Sequence, residues 1–310
     1  MTNELNIEKK LKIQKIQKTT QTILVYIFLG VMAIVVLIPF YWMINVSFKS
    51  THELVDDDIT ITFFPEDFSP NNYVNVFKYS GNTTGNISFM VFFGNTMVVA
   101  LFSTLIGTVF SIFVGFALAR LNFPGRDLIF TLLLATMMIP GEMMVITNYT
   151  TVARLGWVSL QGGITGGAYY AMIIPFLVSI FHIYLLRQNF KQIPNELYYA
   201  AKVDGSSDFN YLVKVMVPMA KSSIITIVIL KLMGTWNAYV WPNLVADAKH
   251  KIITSWLRSS FVDQSPGSAG RVLLNYQMAA AIIVTVPLLL LFIFFRKYIM
   301  SGVSRSGLKG

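Results

Sequence analysis

The chain has 310 residues, of which 55% are hydrophobic and only 13% charged, and its mean hydropathy is +0.60. That lies outside ordinary soluble composition and points to a membrane protein. With no cysteine, disulfides, thiol nucleophiles and Cys-ligated zinc are excluded, and His52, His182 and His250 are too scattered to read as a metal cluster; the net charge of +9 reads as basic cytoplasmic loops, not as a nucleic-acid surface.

Residues 1–22 carry five lysines and run into an uncharged stretch from Thr19 to Phe48. It is longer than the ~7–15-residue core of a signal peptide and no small-residue cleavage site ends it, so it reads as a retained first span, about 23–48. A polar, acidic loop over 49–86 follows. The second span, about 87–119, closes on a short turn from Arg120 to Asp127 that contains Pro124 and Gly125. Gly107, Ser111, Gly115 and Ala119 recur every fourth residue, a small-residue face on which a neighbouring helix can approach closely.

The third span, about 128–147, is broken by Pro140 and Gly141 and carries Glu142, which predicts irregular backbone lining protein or a water-filled cavity. An outside loop over 148–162 leads to a fourth span, about 163–186, with Pro175 and His182; His182 reads as a hydrogen-bonded structural residue. The fifth span, about 222–242, holds Lys231, Trp236, Asn237, Tyr239 and Trp241, and the sixth covers about 276–295. The expected fold is therefore an all-α polytopic membrane protein with six transmembrane helices. Its segments are an N-terminal piece (1–22), a permeation domain (23–298) and a tail (299–310). Of the 24 Lys and Arg, 16 fall in segments assigned inside and 7 in segments assigned outside, with Lys231 left in a span, which places both termini in the cytoplasm.

Between spans four and five, Ile193 to Pro218 forms a polar segment. A short helix opened near Pro194 carries Ala200 and Ala201. Gly205 stands where a helix end needs positive φ, Ser206 or Ser207 can cap a second helix, and Pro218 lacks the N–H that would let that helix continue undisturbed. The result is a cytoplasmic two-helix knuckle.

Ala200, Ala201, Gly205 and Pro218 stand at the spacing of the Glu-Ala-Ala loop, and on them the chain resembles the permeases of bacterial ABC importers. Val215 and Val217 replace the usual Ile and Leu, and Tyr199 replaces the usual Glu, with Glu196 one turn earlier. The phrases at Pro39 to Lys49, Arg187 to Glu196, Gly234 to Pro242 and the Gly-Leu-Lys-Gly end are similar to the carbohydrate, maltose-type branch. The resemblance implies a multi-pass subunit of the bacterial cytoplasmic membrane that pairs with a second permease, two ATPase subunits and an extracytoplasmic solute-binding protein. It implies that the knuckle, with Ala200, Ala201, Asp204, Gly205 and Pro218, is a coupling helix, and that Gly307, Leu308, Lys309 and Gly310 reach the ATPases.

No Gly-x4-Gly-Lys-Ser/Thr loop occurs, so ATP and Mg2+ are expected only in partner subunits; the chain itself is expected to bind no cofactor or metal and to catalyse nothing. Lys231, roughly 13 Å into the bilayer at 1.5 Å per residue, must face protein or water. It reads either as lining the translocation path or as a buried pair, with Glu142 as one partner. Trp236, Asn237, Tyr239 and Trp241 suit either a sugar-lined path or an interfacial belt. The expected function is import of a sugar or oligosaccharide. Glycerol phosphate, another polar solute, and a self-contained ion-coupled carrier are the alternatives.

Overall fold

A computed structural model describes residues 2–55, 62–79, 87–158, 166–262 and 271–304; every regular element there is helical, with only two isolated bridges, Lys49 to Phe68 and Val262 to Val272. Three stretches, Ile13–Ser47, Phe89–Arg120 and Leu274–Tyr298, are each long and apolar enough to cross a membrane. Three bent pairs of helices meet the same test: Arg126–Thr136 with Gly141–Arg154 (88°), Gly167–Phe176 with Ile180–Lys191 (42°), and Asp208–Met219 with Lys221–Trp236 (81°). The spans therefore number three, or up to six if each bent pair is one span.

The chain divides into two compact units, Met1–Asn75 with Leu273–Ile282, and Val76–Val272 with Ile283–Gly310. In the first, helix α1 (Thr2–Ser47) is exposed all round from residue 13 to 41. From Ile23 to Tyr41 it is apolar on every face, which suits a lipid environment. Helices α2 (Thr51–Val55) and α3 (Asn72–Tyr79) follow within what the sequence presents simply as a polar loop. Its order comes from polar side chains tying backbone together. The Asn72 amide donates to the carbonyls of Ser47 (2.9 Å) and Lys49 (2.8 Å), and the Asn275 amide donates to the Lys49 carbonyl (3.3 Å) and the Thr51 hydroxyl (3.0 Å). Lys49 and Glu53, one helical turn apart, form an ion pair at 2.8 Å with side chains only 4% and 10% exposed. Burial pushes the Glu53 carboxyl up, but hydrogen bonds from Lys49 and Thr62 outweigh it and hold the group below its usual range. Removing one partner of such a buried pair costs about 3–5 kcal/mol, because the other charge stays behind unpaired.

The second unit is built around α4 (Phe89–Arg120). After α5 (Arg126–Thr136), Pro140 and Gly141 break the chain as the sequence predicts. A 3-10 turn, Gly141–Met144, then leads into α6 (Val145–Arg154), so helix continues into residues expected to be an outside loop. Helix α7 (Gly167–Ile173) and the 3-10 turn Ile174–Phe176 precede α8 (Ile180–Lys191), then come α9 (Asn195–Val203) and α10 (Asp208–Tyr211). A π turn, Leu212–Met216, joins α10 to α11 (Val217–Met219). The unit ends with α12 (Lys221–Trp236), α13 (Val240–Val245), α14 (Ile253–Ser259) and α15 (Leu274–Ser304), whose first turns belong to the first unit.

Helix α4 lies against α8 and α12. The four-residue stripe is the contact surface: Ser111 is fully buried, and a Cβ added at Gly115 would lie 3.1 Å from the Leu186 Cβ. Small residues let these helices approach closely without strain. The segment after α13 is also packed. Asn95 on α4 donates to the carbonyls of Lys249 (2.8 Å) and Lys251 (2.9 Å), and the Thr96 hydroxyl accepts from the Ile253 N–H (2.9 Å). Trp256 is fully buried, edge-on to Phe89 and Phe261. An apolar face that fits α4, together with these hydrogen bonds, decides where this segment goes.

Candidate functional site

The knuckle is a self-contained device. Helix α9 ends on a Schellman turn: Gly205, at φ 74°, donates to the Lys202 carbonyl (3.1 Å) and Ser206 to the Ala201 carbonyl (2.8 Å). Ser207 then caps α10, its hydroxyl accepting from the Asn210 N–H at 3.3 Å. The two helices are clamped by Asp208, which accepts from the Tyr198 hydroxyl (2.7 Å) and pairs with Lys202 (2.8 Å). The hydrogen bond to Asp208 raises the Lys202 ammonium above its ordinary value against the opposing effect of desolvation, so this clamp is present at neutral pH and is lost as pH rises through that raised value.

Beneath the knuckle lies an apolar cluster that includes Phe116, Leu186, Phe190, Tyr211, Leu212 and Met216. Arg120 fastens the end of α8 by donating to the carbonyls of Phe190 (2.6 Å) and Ile193 and to the Asn195 side chain. Proline at 218 has no N–H to give and crowds the carbonyl four residues back; the ladder widens into the π turn just before it, and Val217 N–H reaches the Leu212 carbonyl. The sharp bend comes two residues later, at Ala220, where the arm meets α12. The knuckle exposes large apolar side chains: Val203 is 88% exposed, Tyr199 64% and Phe209, stacked on Phe113, 61%. Ala200 is exposed and Ala201 half-buried, so all five residues expected to couple, Ala200, Ala201, Asp204, Gly205 and Pro218, lie in one arm. Gly307, Leu308, Lys309 and Gly310 lie outside the described residues.

A cavity of about 470 Å³ opens between α4, α8, α12 and α13, lined by Ser103, Met172, Phe176, His182, Lys231 and Trp241 among others. Lys231, 8% exposed, directs its ammonium at the carbonyls of Ser103 (3.3 Å), Phe176 (3.4 Å) and Leu177 (2.8 Å). Phe176 and Leu177 sit at the break before α8, where carbonyls lack helical partners and carry the negative end of the helix dipole. The cation thus satisfies a broken helix. A Cβ on Gly107 would overlap the Lys231 Nζ, so the glycine makes the room the ammonium occupies. Glu142 does not join it: it is exposed and forms no ion pair among the described residues.

The other residues expected on the path divide. Trp236 is buried edge-on to Phe93 and lies outside the cavity, Asn237 is exposed, and Tyr239 sits 4.2 Å beneath the Arg258 guanidinium. Trp241, expected on the path or in the belt, and His182, expected to be structural, are both in the cavity wall, with the Trp241 N–H donating to the Ala171 carbonyl (3.0 Å). A signal for His182 was its position in a span; only the bend after Pro175 turns it inward.

Residues 107–305 match the model of a family described as "Binding-protein-dependent transport system inner membrane component". The chain belongs to this family. The permease is 29% identical over 286 residues to the arabinooligosaccharides transport system permease protein AraQ of Bacillus subtilis, which covers 92% of this chain and 94% of the relative. It is 26% identical to the sn-glycerol-3-phosphate transport system permease protein UgpE of Brucella abortus (93% of this chain, 97% of the relative), and 26% to the diacetylchitobiose uptake system permease protein NgcG of Streptomyces coelicolor (88% and 84%). A chain in the crystal structure of a bacterial ABC transporter that imports the acidic polysaccharide alginate shares its fold, with a TM-score of 0.73 at 22% identity over 89% of the permease and 95% of that chain. This permease is thus a membrane-embedded transport component.

Proposed function

We propose that the permease carries a sugar or oligosaccharide inward by alternating access, with two ATPase subunits supplying ATP hydrolysis with Mg2+, a second permease completing the path and an extracytoplasmic binding protein delivering the solute. Each bent pair counts as one span in this reading, giving six, with both termini and the knuckle in the cytoplasm. The observation that carries it is the knuckle itself: a two-helix arm, locked by Gly205 and Asp208, that exposes the apolar side chains of Tyr199, Val203 and Phe209. Small side chains at Ala200 and Ala201 let a partner groove approach. Relatives named for arabinooligosaccharides and diacetylchitobiose support the sugar, and the cavity beside Trp241 and Phe176 offers aromatic faces to it. The glycerol phosphate alternative has less support at Lys231, whose ammonium is already directed at three carbonyls.

Because the chain has no cysteine, the arm can be tested with a single introduced thiol. Ala200→Cys in the assembled transporter should cross-link to a cysteine in the ATPase cleft and react with impermeant maleimide only from the cytoplasmic face. Labelling from outside, or no cross-link to any ATPase position, would reject the arm as the coupling element.

A further inference from the structure

A second concavity, about 550 Å³, opens where four helix ends meet: Arg120 at the end of α4, Arg126 at the start of α5, Lys191 at the end of α8, and Asn195, Tyr198 and Tyr199 on α9. Three cations line it and no carboxylate does. Asp127 beside it is shared between Arg126 and Arg187, at 3.3 Å to each, and Glu196 follows Asn195 on the first turn of α9. Arg120 spends its donors on neutral oxygens, and Lys191 is exposed with no hydrogen-bond or ion-pair partner among the described residues. Both α5 and α9 begin at this rim, and neither Gly125 nor Pro194 supplies a side-chain cap, so their first-turn N–H groups add to the field, while the carbonyl ends of α4 and α8 oppose it and Arg120 takes up those of Phe190 and Ile193. Positive charge is concentrated here beyond what the chain itself compensates.

We infer that this pocket holds the phosphate of an anionic phospholipid headgroup. Its depth fits, because α4 reaches it only after a membrane-length helix ending at Arg120. The α5 surface fits as well: Leu128, Ile129 and Leu132, 65%, 46% and 58% exposed, continue from Arg126 along the helix and give acyl chains an apolar track. A soluble phosphate shares the headgroup's chemistry but leaves that track unused, as does a carboxylate from an ATPase subunit. Placing the site in the cytoplasmic leaflet rests on the topology proposed above; binding of the lipid does not.

The test is lipid retention by the transporter complex purified in nanodiscs of phosphatidylcholine with and without phosphatidylglycerol, read by native mass spectrometry without ATP or sugar, so that it stands or falls apart from the transport reading. Wild type should retain phosphatidylglycerol over phosphatidylcholine. Lys191→Gln and Arg126→Gln should each lower that retention about fivefold, the effect of one basic residue at an anionic surface, and Lys191→Arg should preserve it. Lys191 is exposed, so its neutral replacement leaves the packing intact. Equal retention by all variants would overturn the inference. Displacement of the lipid by inorganic phosphate would overturn it in favour of a soluble anion, and loss of an ATPase subunit from Lys191→Gln with lipid retention unchanged would overturn it in favour of a partner carboxylate.

Discussion

Gly205→Pro in the assembled transporter should abolish the stimulation of ATP hydrolysis by loaded binding protein while the chain still inserts into the membrane. The turn holds Gly205 at φ 74°, whereas proline is fixed near −65° and has no N–H to give the Lys202 carbonyl. A penalty of about 3 kcal/mol lowers the population of the locked arm roughly a hundredfold, at tenfold per 1.4 kcal/mol. Substitution should be graded: Gly205→Asn, which tolerates the left-handed region, keeps most of the stimulation, and Gly205→Ala an intermediate part. The damage is local, because nothing lies within 4 Å of a Cβ at Gly205 and no packing is disturbed. Normal stimulation of Gly205→Pro would remove the arm from the coupling route.

Gly107→Ala and Lys231→Met should each lower the unfolding temperature of the purified permease, and the two together should cost little more than either alone. The alanine methyl takes the space of the Lys231 Nζ and forces the ammonium away from the carbonyls of Ser103, Phe176 and Leu177; methionine fills a similar length with no charge to offer them. Either change leaves the same three carbonyls short of a partner, at about 1–3 kcal/mol for the buried one on Ser103 and less for the part-buried ones on Phe176 and Leu177. Residues acting through one interaction are not additive. Fully additive losses would mean that Gly107 and Lys231 act separately and that the helix break is held by something else.

How much of this was legible in the sequence depends on what kind of signal each feature leaves. Backbone constraints are written in residue types, so the Pro140–Gly141 break and the Gly205 turn fall where expected. Pro218 marks a perturbed helix, but the bend falls at Ala220, because the π turn absorbs the missing hydrogen bond first. Lys231 announces itself by its cost in a membrane, yet its partners are carbonyls, and every residue has one; no side-chain pattern distinguishes those freed by the break before α8. Trp236 and Trp241 look alike in the sequence. One is buried beside Phe93 and the other faces the cavity, and only the crossing of α4, α12 and α13 separates them. The Asn95 bridge to Lys249 and Lys251 was equally hidden, since it joins residues more than 150 positions apart through backbone oxygens.

This chain should transport only as part of an ATP-driven assembly. Uptake of labelled oligosaccharides into proteoliposomes tests it most directly, comparing this permease alone with the permease co-reconstituted with its partner permease, ATPase subunits and binding protein. Uptake should require the full set and internal or external ATP on the ATPase side, and should be absent from the lone chain under any ion gradient. Accumulation by the lone chain driven by a proton or sodium gradient would contradict the account.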